Sequence, residues 1–172
     1  LADQIKVDEA AIEAYLKTHT VNIESFGQPN DSAFFKIRMD TLAGENANKT
    51  PMSDMPGLQK TVINVSSSQL GLSEEENDVP HTLYYLIARE GEGSSPTIAD
   101  STLLRYKGEL LDGTAFDAVS NYVWQELPFF LRGYSNGITN IKSGTPDGLQ
   151  INDPDDGTSN YTNSGIGILI MP

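Results

Sequence analysis

Leu104-Arg105-Tyr106-Lys107-Gly108-Glu109-Leu110 is followed at once by Leu111-Asp112-Gly113. Leu104, Tyr106, Gly108 and Leu110 alternate with the charged Arg105, Lys107 and Glu109. A period of two puts the first set on one face of a strand and the charges on the other. Asp-Gly is the preferred pair for a tight type I′ hairpin turn, so the chain is expected to reverse there and return through Thr114-Ala115-Phe116-Asp117. The region is therefore antiparallel sheet, with Leu104, Tyr106, Leu110 and Phe116 expected on its inner face.

Other segments fall into place around this hairpin. Ile12, Tyr15, Leu16 and His19 share one helical face, which predicts a helix over residues 7–19. Asp8 and Glu9 early and Lys17 late suit its dipole. Residues 34–39, 61–65, 82–87, 123–127 and 165–171 read as strands. Residues 133–141 read as one or two helical turns. Residues 44–57 and 145–163 are rich in turn formers and read as loops, and the acidic run Ser73–Asp78 reads as a solvated linker. The expected fold class is α+β: an antiparallel sheet curved around a short helix, preceded by an N-terminal helix and an irregular segment. The expected division is 1–80 for the extension and 81–172 for the sheet domain.

Composition excludes several functions. The 172 residues carry a net charge of −13, which repels nucleic-acid phosphates and anionic membrane surfaces. No cysteine is present, so disulfides, thiol nucleophiles and Cys-ligated zinc are excluded, and the two distant histidines, His19 and His81, offer no zinc set. No metal or cofactor is expected. No apolar run approaches a membrane span. Leu1 at the start reads as a processed or trimmed N-terminus.

Two motifs need testing. Gly133-Tyr134-Ser135-Asn136-Gly137 spells the G-x-S-x-G of a hydrolase nucleophile elbow. The elbow needs a buried strand before the serine and usually a histidine after it. Pro128 interrupts the approach, and both histidines precede Ser135. The Asp-rich stretch Asn152–Gly157 suggests a calcium loop, but Pro154 stands where an oxygen ligand should be and the closing Glu is absent, so it reads as a turn-rich surface loop. The aromatic set Tyr106, Phe116, Trp124, Phe129, Phe130 and Tyr134 is ordinary core material taken one by one. Asp117 beside Phe116 changes the balance, because an ionisable group bordering aromatics is a ligand-site pattern.

Tyr106-Lys107-Gly108-Glu109-Leu110-Leu111-Asp112-Gly113-Thr114-Ala115-Phe116-Asp117 resembles the Y-x-G-x-L-x-D-G-x-x-F-D signature of FKBP-type peptidyl-prolyl cis-trans isomerases. Phe130-Leu131-Arg132-Gly133-Tyr134-Ser135-Asn136-Gly137-Ile138 resembles that family's V-I-x-G-W-x-x-G-V segment. Ile168-Leu169-Ile170-Met171-Pro172 resembles the strand leading to its I-P-x-x-x-A-Y-G segment. The resemblance covers 81–172. It implies a short helix beginning near Leu131, so the G-x-S-x-G is two structural glycines around a helix start. It further implies Tyr106, Phe116 and Asp117 as catalytic residues and Val123, Phe130, Leu131 and Tyr134 as substrate-binding residues. Tyr134 stands where the family usually has a tryptophan floor, and Val123 where a phenylalanine wall is common.

The implied activity is isomerisation of X-Pro bonds in proline-containing polypeptides, with macrolide-type compounds as further ligands. A proline-peptide-binding or chaperone-like module of the same fold is the alternative. The implied location is the periplasm, or a lipoprotein anchor in the outer membrane, of a bacterium. The segment that would follow Pro172 in the family completes sheet and pocket. The 172-residue chain alone is thus expected to be a weak isomerase with unpaired strand edges that favour self-association. Ser135→Ala should leave any isomerase activity nearly unchanged, whereas fluorophosphonate labelling of Ser135 would restore the hydrolase reading.

Overall fold

The computed structural model describes residues 2–22, 37–73, 76–146, 161–162 and 165–172. The first half of the expected strand at 34–39 and the Asp-rich stretch 152–157 lie outside them. The first helix, α1, spans Ala2–Thr18, longer at its start than the apolar spacing alone predicted, with Asp3 in its first turn and Lys17 in its last. His19 opens a short strand instead: β1 (His19–Val21) pairs antiparallel with β2 (Met39–Thr41).

A three-stranded antiparallel sheet of β3 (Leu58–Val65), β4 (Val79–Arg89) and β9 (Ile166–Ile170) forms the centre, in the order β3-β4-β9. The boundary expected after residue 80 falls inside β4, and β3 pairs along β4 from Leu58 opposite Leu86 to Val65 opposite Val79. Tyr84 and Leu86 on β4 meet Ile168 and Ile170 on β9, and Ile12 and Leu16 of α1 pack on this face. Met52 completes that core with no exposed surface. Its segment reads as a loop in sequence, and it forms a single 3-10 turn, Met52–Asp54, that delivers the side chain inward. Burying a side chain of this size contributes about 1.5–3 kcal/mol.

The opposite face of the same sheet takes the second helix, α2 (Arg132–Ile138), with Leu131 as its N-cap residue. Gly133 and Gly137 are one turn apart and face the sheet. A Cβ at Gly133 would lie 2.6 Å from Met171 Sδ, and one at Gly137 would lie 2.9 Å from Leu169 Cγ and closer still to its methyls. Leu83 of β4 also borders Gly133. The two motif glycines thus let the helix backbone settle directly on the sheet. Ser135, between them, is 4 % exposed, and its hydroxyl donates to the Leu127 carbonyl at 2.5 Å.

The hairpin of β5 (Ser101–Glu109) and β6 (Ala115–Glu126) lies on the other side of α2. Strands therefore flank the short helix on both sides in an α+β arrangement. Two further short strands, β7 (Thr145–Pro146) and β8 (Tyr161–Thr162), pair with each other. The hairpin loop differs from the expected two-residue type I′ turn. Gly113 N–H donates to the Leu110 carbonyl and Leu110 N–H to the Thr114 carbonyl. Only Gly113 has positive φ, at 84°. This is the three-residue pattern, a turn followed by a left-handed glycine. Asp112 accepts from Thr114 N–H at 2.8 Å, which holds its carboxyl below the usual range.

The expected inner face is also corrected. Leu104 and Tyr106 are half-buried, but Leu110 is 55 % and Phe116 60 % exposed. Leu110 lies beyond the end of β5, where the turn leaves the sheet. Phe116 falls at a register shift between Gly108 and Glu109, so it has no partner across the ladder. An extra residue of this kind bends the strand and re-aims its side chain.

The glycine contacts generate a stability test. Gly137→Ala would gain up to about 1 kcal/mol of helix propensity but must displace Leu169, and overpacking of this kind costs about 1–3 kcal/mol. The clash should win, lowering the urea midpoint. Leu169→Ala in the same background should recover part of the loss relative to additivity.

Candidate functional site

The site is built where β5, β6 and α2 meet. In the ladder, Thr102 faces Gln125, Leu104 faces Val123, Tyr106 faces Val119 and Gly108 faces Asp117. The side chains of each such pair share one face of the hairpin. Two of the expected residues, Tyr106 and Asp117, stand diagonally on this face, and the Tyr106 hydroxyl donates to Asp117 Oδ2. Val123 is half-buried on the same face. Trp124 pairs across from Leu103 on the reverse face and is 45 % exposed.

Phe116 covers Gly108. A Cβ at Gly108 would lie 2.6 Å from Phe116 Cζ, so the glycine leaves room for the ring to cross the strand beside Asp117. From α2 comes Tyr134, whose ring centroid lies 5.6 Å from that of Tyr106 at 57°. Phe130 meets Tyr134 at 5.6 Å and 48°. Both are tilted contacts of the kind aromatic quadrupoles favour. Leu131 is 65 % exposed at the helix start, as the N-cap residue of α2. Tyr106, Asp117, Tyr134 and Phe130 are thus brought together, with Phe116 and Val123 on the same hairpin and Leu131 at the start of α2.

Sequence reasoning missed Gln125. It is 6 % exposed, and its Oε1 accepts from the Tyr134 hydroxyl at 2.5 Å. The available signal was its place two residues beyond Val123, where strand alternation puts a polar amide on the inner face.

These contacts shift the phenols. Burial is the first cause that raises the Tyr134 phenol well above the ordinary range, with Tyr106 and Asp117 adding to it. The Tyr106 phenol is raised chiefly by its hydrogen bond to Asp117, then by burial, and the Gln125 amide partly offsets this. Both phenols are therefore donors at neutral pH.

Neither histidine serves Ser135. The His81 Nδ1–H donates to the Val79 carbonyl at 2.9 Å, and His19 packs on Tyr15 with ring centroids 3.7 Å apart. No group of three or more His, Asp or Glu side chains arranged for a metal occurs among the described residues. Among them, no helix is long and apolar enough to cross a membrane.

A pH test follows from the phenols. In the unfolded chain a tyrosine ionises near pH 10. In the folded chain Tyr134 and Tyr106 hold their protons to higher pH. Their contribution to stability is full below about pH 10 and is lost as pH rises through the folded values. The urea midpoint should fall above about pH 10, and the fall should be shallower in Tyr134→Phe than in the parent chain.

No family model matches the chain. A probable FKBP-type peptidyl-prolyl cis-trans isomerase FkpA of Neisseria meningitidis serogroup B is 37% identical over 65 residues, 36% of this chain and 24% of that protein. The FKBP-type peptidyl-prolyl cis-trans isomerase FkpA of Escherichia coli K12 is 25% identical over 148 residues, 83% of this chain and 46% of that protein. The peptidyl-prolyl cis-trans isomerase Mip of Coxiella burnetii is 33% identical over 67 residues, 36% of this chain and 28% of that protein. The crystal structure of Escherichia coli FkpA aligns with a TM-score of 0.39 at 21% identity, over 69% of this chain and 51% of that one. The chain spans less than half the length of these curated relatives.

Proposed function

We propose that this chain, a relative of the FKBP-type peptidyl-prolyl cis-trans isomerases, binds X-Pro segments of polypeptides between its hairpin and α2 and accelerates rotation about the X-Pro bond. The observation that carries the reading is the grouping of Tyr106, Asp117, Tyr134 and Phe130 around one hairpin face. Residues 81–172 would carry this site, and residues 1–80 would support it through α1 and β3.

The chemistry needs no covalent step. Amide resonance sets a barrier of about 18–20 kcal/mol to rotation. Twisting the bond breaks that resonance and reduces the amide dipole. A water-poor aromatic surface disfavours the planar, more dipolar form relative to the twisted one. Tyr134 and Phe130 would supply that surface, Phe116 and Val123 would flank the prolyl ring, and Leu131 would extend the surface along the peptide. Asp117, steadied by Tyr106, would accept a hydrogen bond from the substrate backbone and fix its orientation. Macrolide-type ligands would compete for the same surface.

A specific observation favours the alternative, a binding or chaperone-like module. Phe116 is 60 %, Leu131 65 % and Phe129 82 % exposed. Such an open apolar surface suits holding an extended chain better than desolvating one amide. The outer edges of β3 and β9 have no strand neighbour among the described residues, which supports self-association through them. Sedimentation velocity tests that part. A place in the bacterial envelope, periplasmic or lipid-anchored, belongs to the same proposal and is tested by cell fractionation.

A protease-coupled assay on an X-Pro peptide separates turnover from binding alone. The isomerase reading expects catalysis that falls at least tenfold in Tyr106→Ala and Phe116→Ala, about 1.4 kcal/mol of transition-state stabilisation. Peptide binding without any rate increase would leave the binding module standing. Absence of both would remove the two together.

A further inference from the structure

Gln125 is an unusual residue for its position. It lies 6 % exposed on the inner face of β6, opposite Thr102. A buried carboxamide is costly unless both its ends are engaged. Its oxygen takes the Tyr134 hydroxyl at 2.5 Å. Tyr134 leans on Tyr106 at 5.6 Å between ring centroids, and Tyr106 donates to Asp117. The four side chains form one continuous line from the buried end of the hairpin to its exposed end.

We propose that Gln125 is a positioning residue of this site: it anchors Tyr134, the Tyr134 ring sets Tyr106, and Tyr106 directs Asp117. This rests on the proposed proline-peptide reading of the cluster. The chemistry favours a glutamine here because a phenol at the floor carries a hydroxyl into a half-buried space. That hydroxyl needs an acceptor, and the rigid strand supplies one. The Gln125 amide also partly offsets the raised Tyr106 phenol, so its influence reaches beyond Tyr134. Asp117 itself is exposed, so without this line its carboxylate would sample many orientations.

The test uses the full chain with tyrosines labelled at 13Cζ, and an X-Pro peptide as the ligand. Gln125→Met, Tyr134→Phe and the double variant are compared. Expected are a moved Tyr106 Cζ resonance in both single variants and a roughly tenfold loss of peptide affinity in each. The double variant should lose no more than either single one, because both cut the same line. An unmoved Tyr106 resonance in folded Gln125→Met overturns the proposal, as do additive losses in the double variant. If Gln125→Met does not fold, Tyr134→Phe decides alone: an unchanged Tyr106 resonance there is equally fatal. Should the parent chain bind no X-Pro peptide, the functional reading fails, while the Tyr106 resonance still judges the positioning role.

Discussion

The direct seating of α2 on the central sheet governs the rest of this structure. Gly133 and Gly137 bring the helix backbone against Met171, Leu83 and Leu169 without side chains between. Tyr134 follows Gly133 in the chain, so the depth of that seating sets how far the phenol reaches toward the hairpin. Ser135 adds a second constraint through the Leu127 carbonyl, which fixes the chain entering the helix. Larger residues at the two glycines would push the helix outward and carry Tyr134 into Tyr106. The candidate site therefore depends on an interface that contains none of its own residues.

Much of this was legible in the sequence because the relevant signals are local. Alternation across Leu104–Leu110 marked β5, and the apolar run at 165–171 marked β9. The grouping of Tyr106 with Asp117 was implied by the family resemblance alone, since strand period with Phe116 inward puts Asp117 on the other face; the register shift beside Phe116 is what brings it round. What escaped depends on contacts distant in the chain or on fine backbone geometry. Asp-Gly suits a type I′ turn by propensity, but φ at Asp112 is not positive, and the loop takes one more residue. Phe116 continues the apolar pattern, yet the register shift leaves it without a ladder partner and lays its ring, largely exposed, over Gly108. Met52 sits among turn formers, and only its packing against elements distant in the chain, α1 and β1 among them, reveals it as core. Gln125 looked like any polar residue of an exposed strand until Tyr134 was placed against it.

The polar floor changes what the aromatic cluster can do. A phenol differs from an indole less in area than in where its polar atom points. Here the Tyr134 hydroxyl is turned toward the hairpin and satisfied by Gln125, leaving the ring for packing with Tyr106 and Phe130. The surface thus stays apolar between Tyr106 and Phe130, although Tyr134 carries a hydroxyl. Asp117 and Tyr106 concentrate the remaining polarity at the hairpin's exposed end.

The shared core of α1 and β9 carries a consequence for how the chain acquires its shape. Ile12 and Leu16 near one end pack with Ile168 and Ile170 near the other. Contacts of such separation require a large loop to close before they are rewarded, which slows folding relative to helical bundles. During synthesis the first helix would leave the ribosome long before its partner strand exists. Its apolar stripe would wait in water, shielded only by whatever else binds it. A chain proposed to act on the slow folding of others is itself built to finish late.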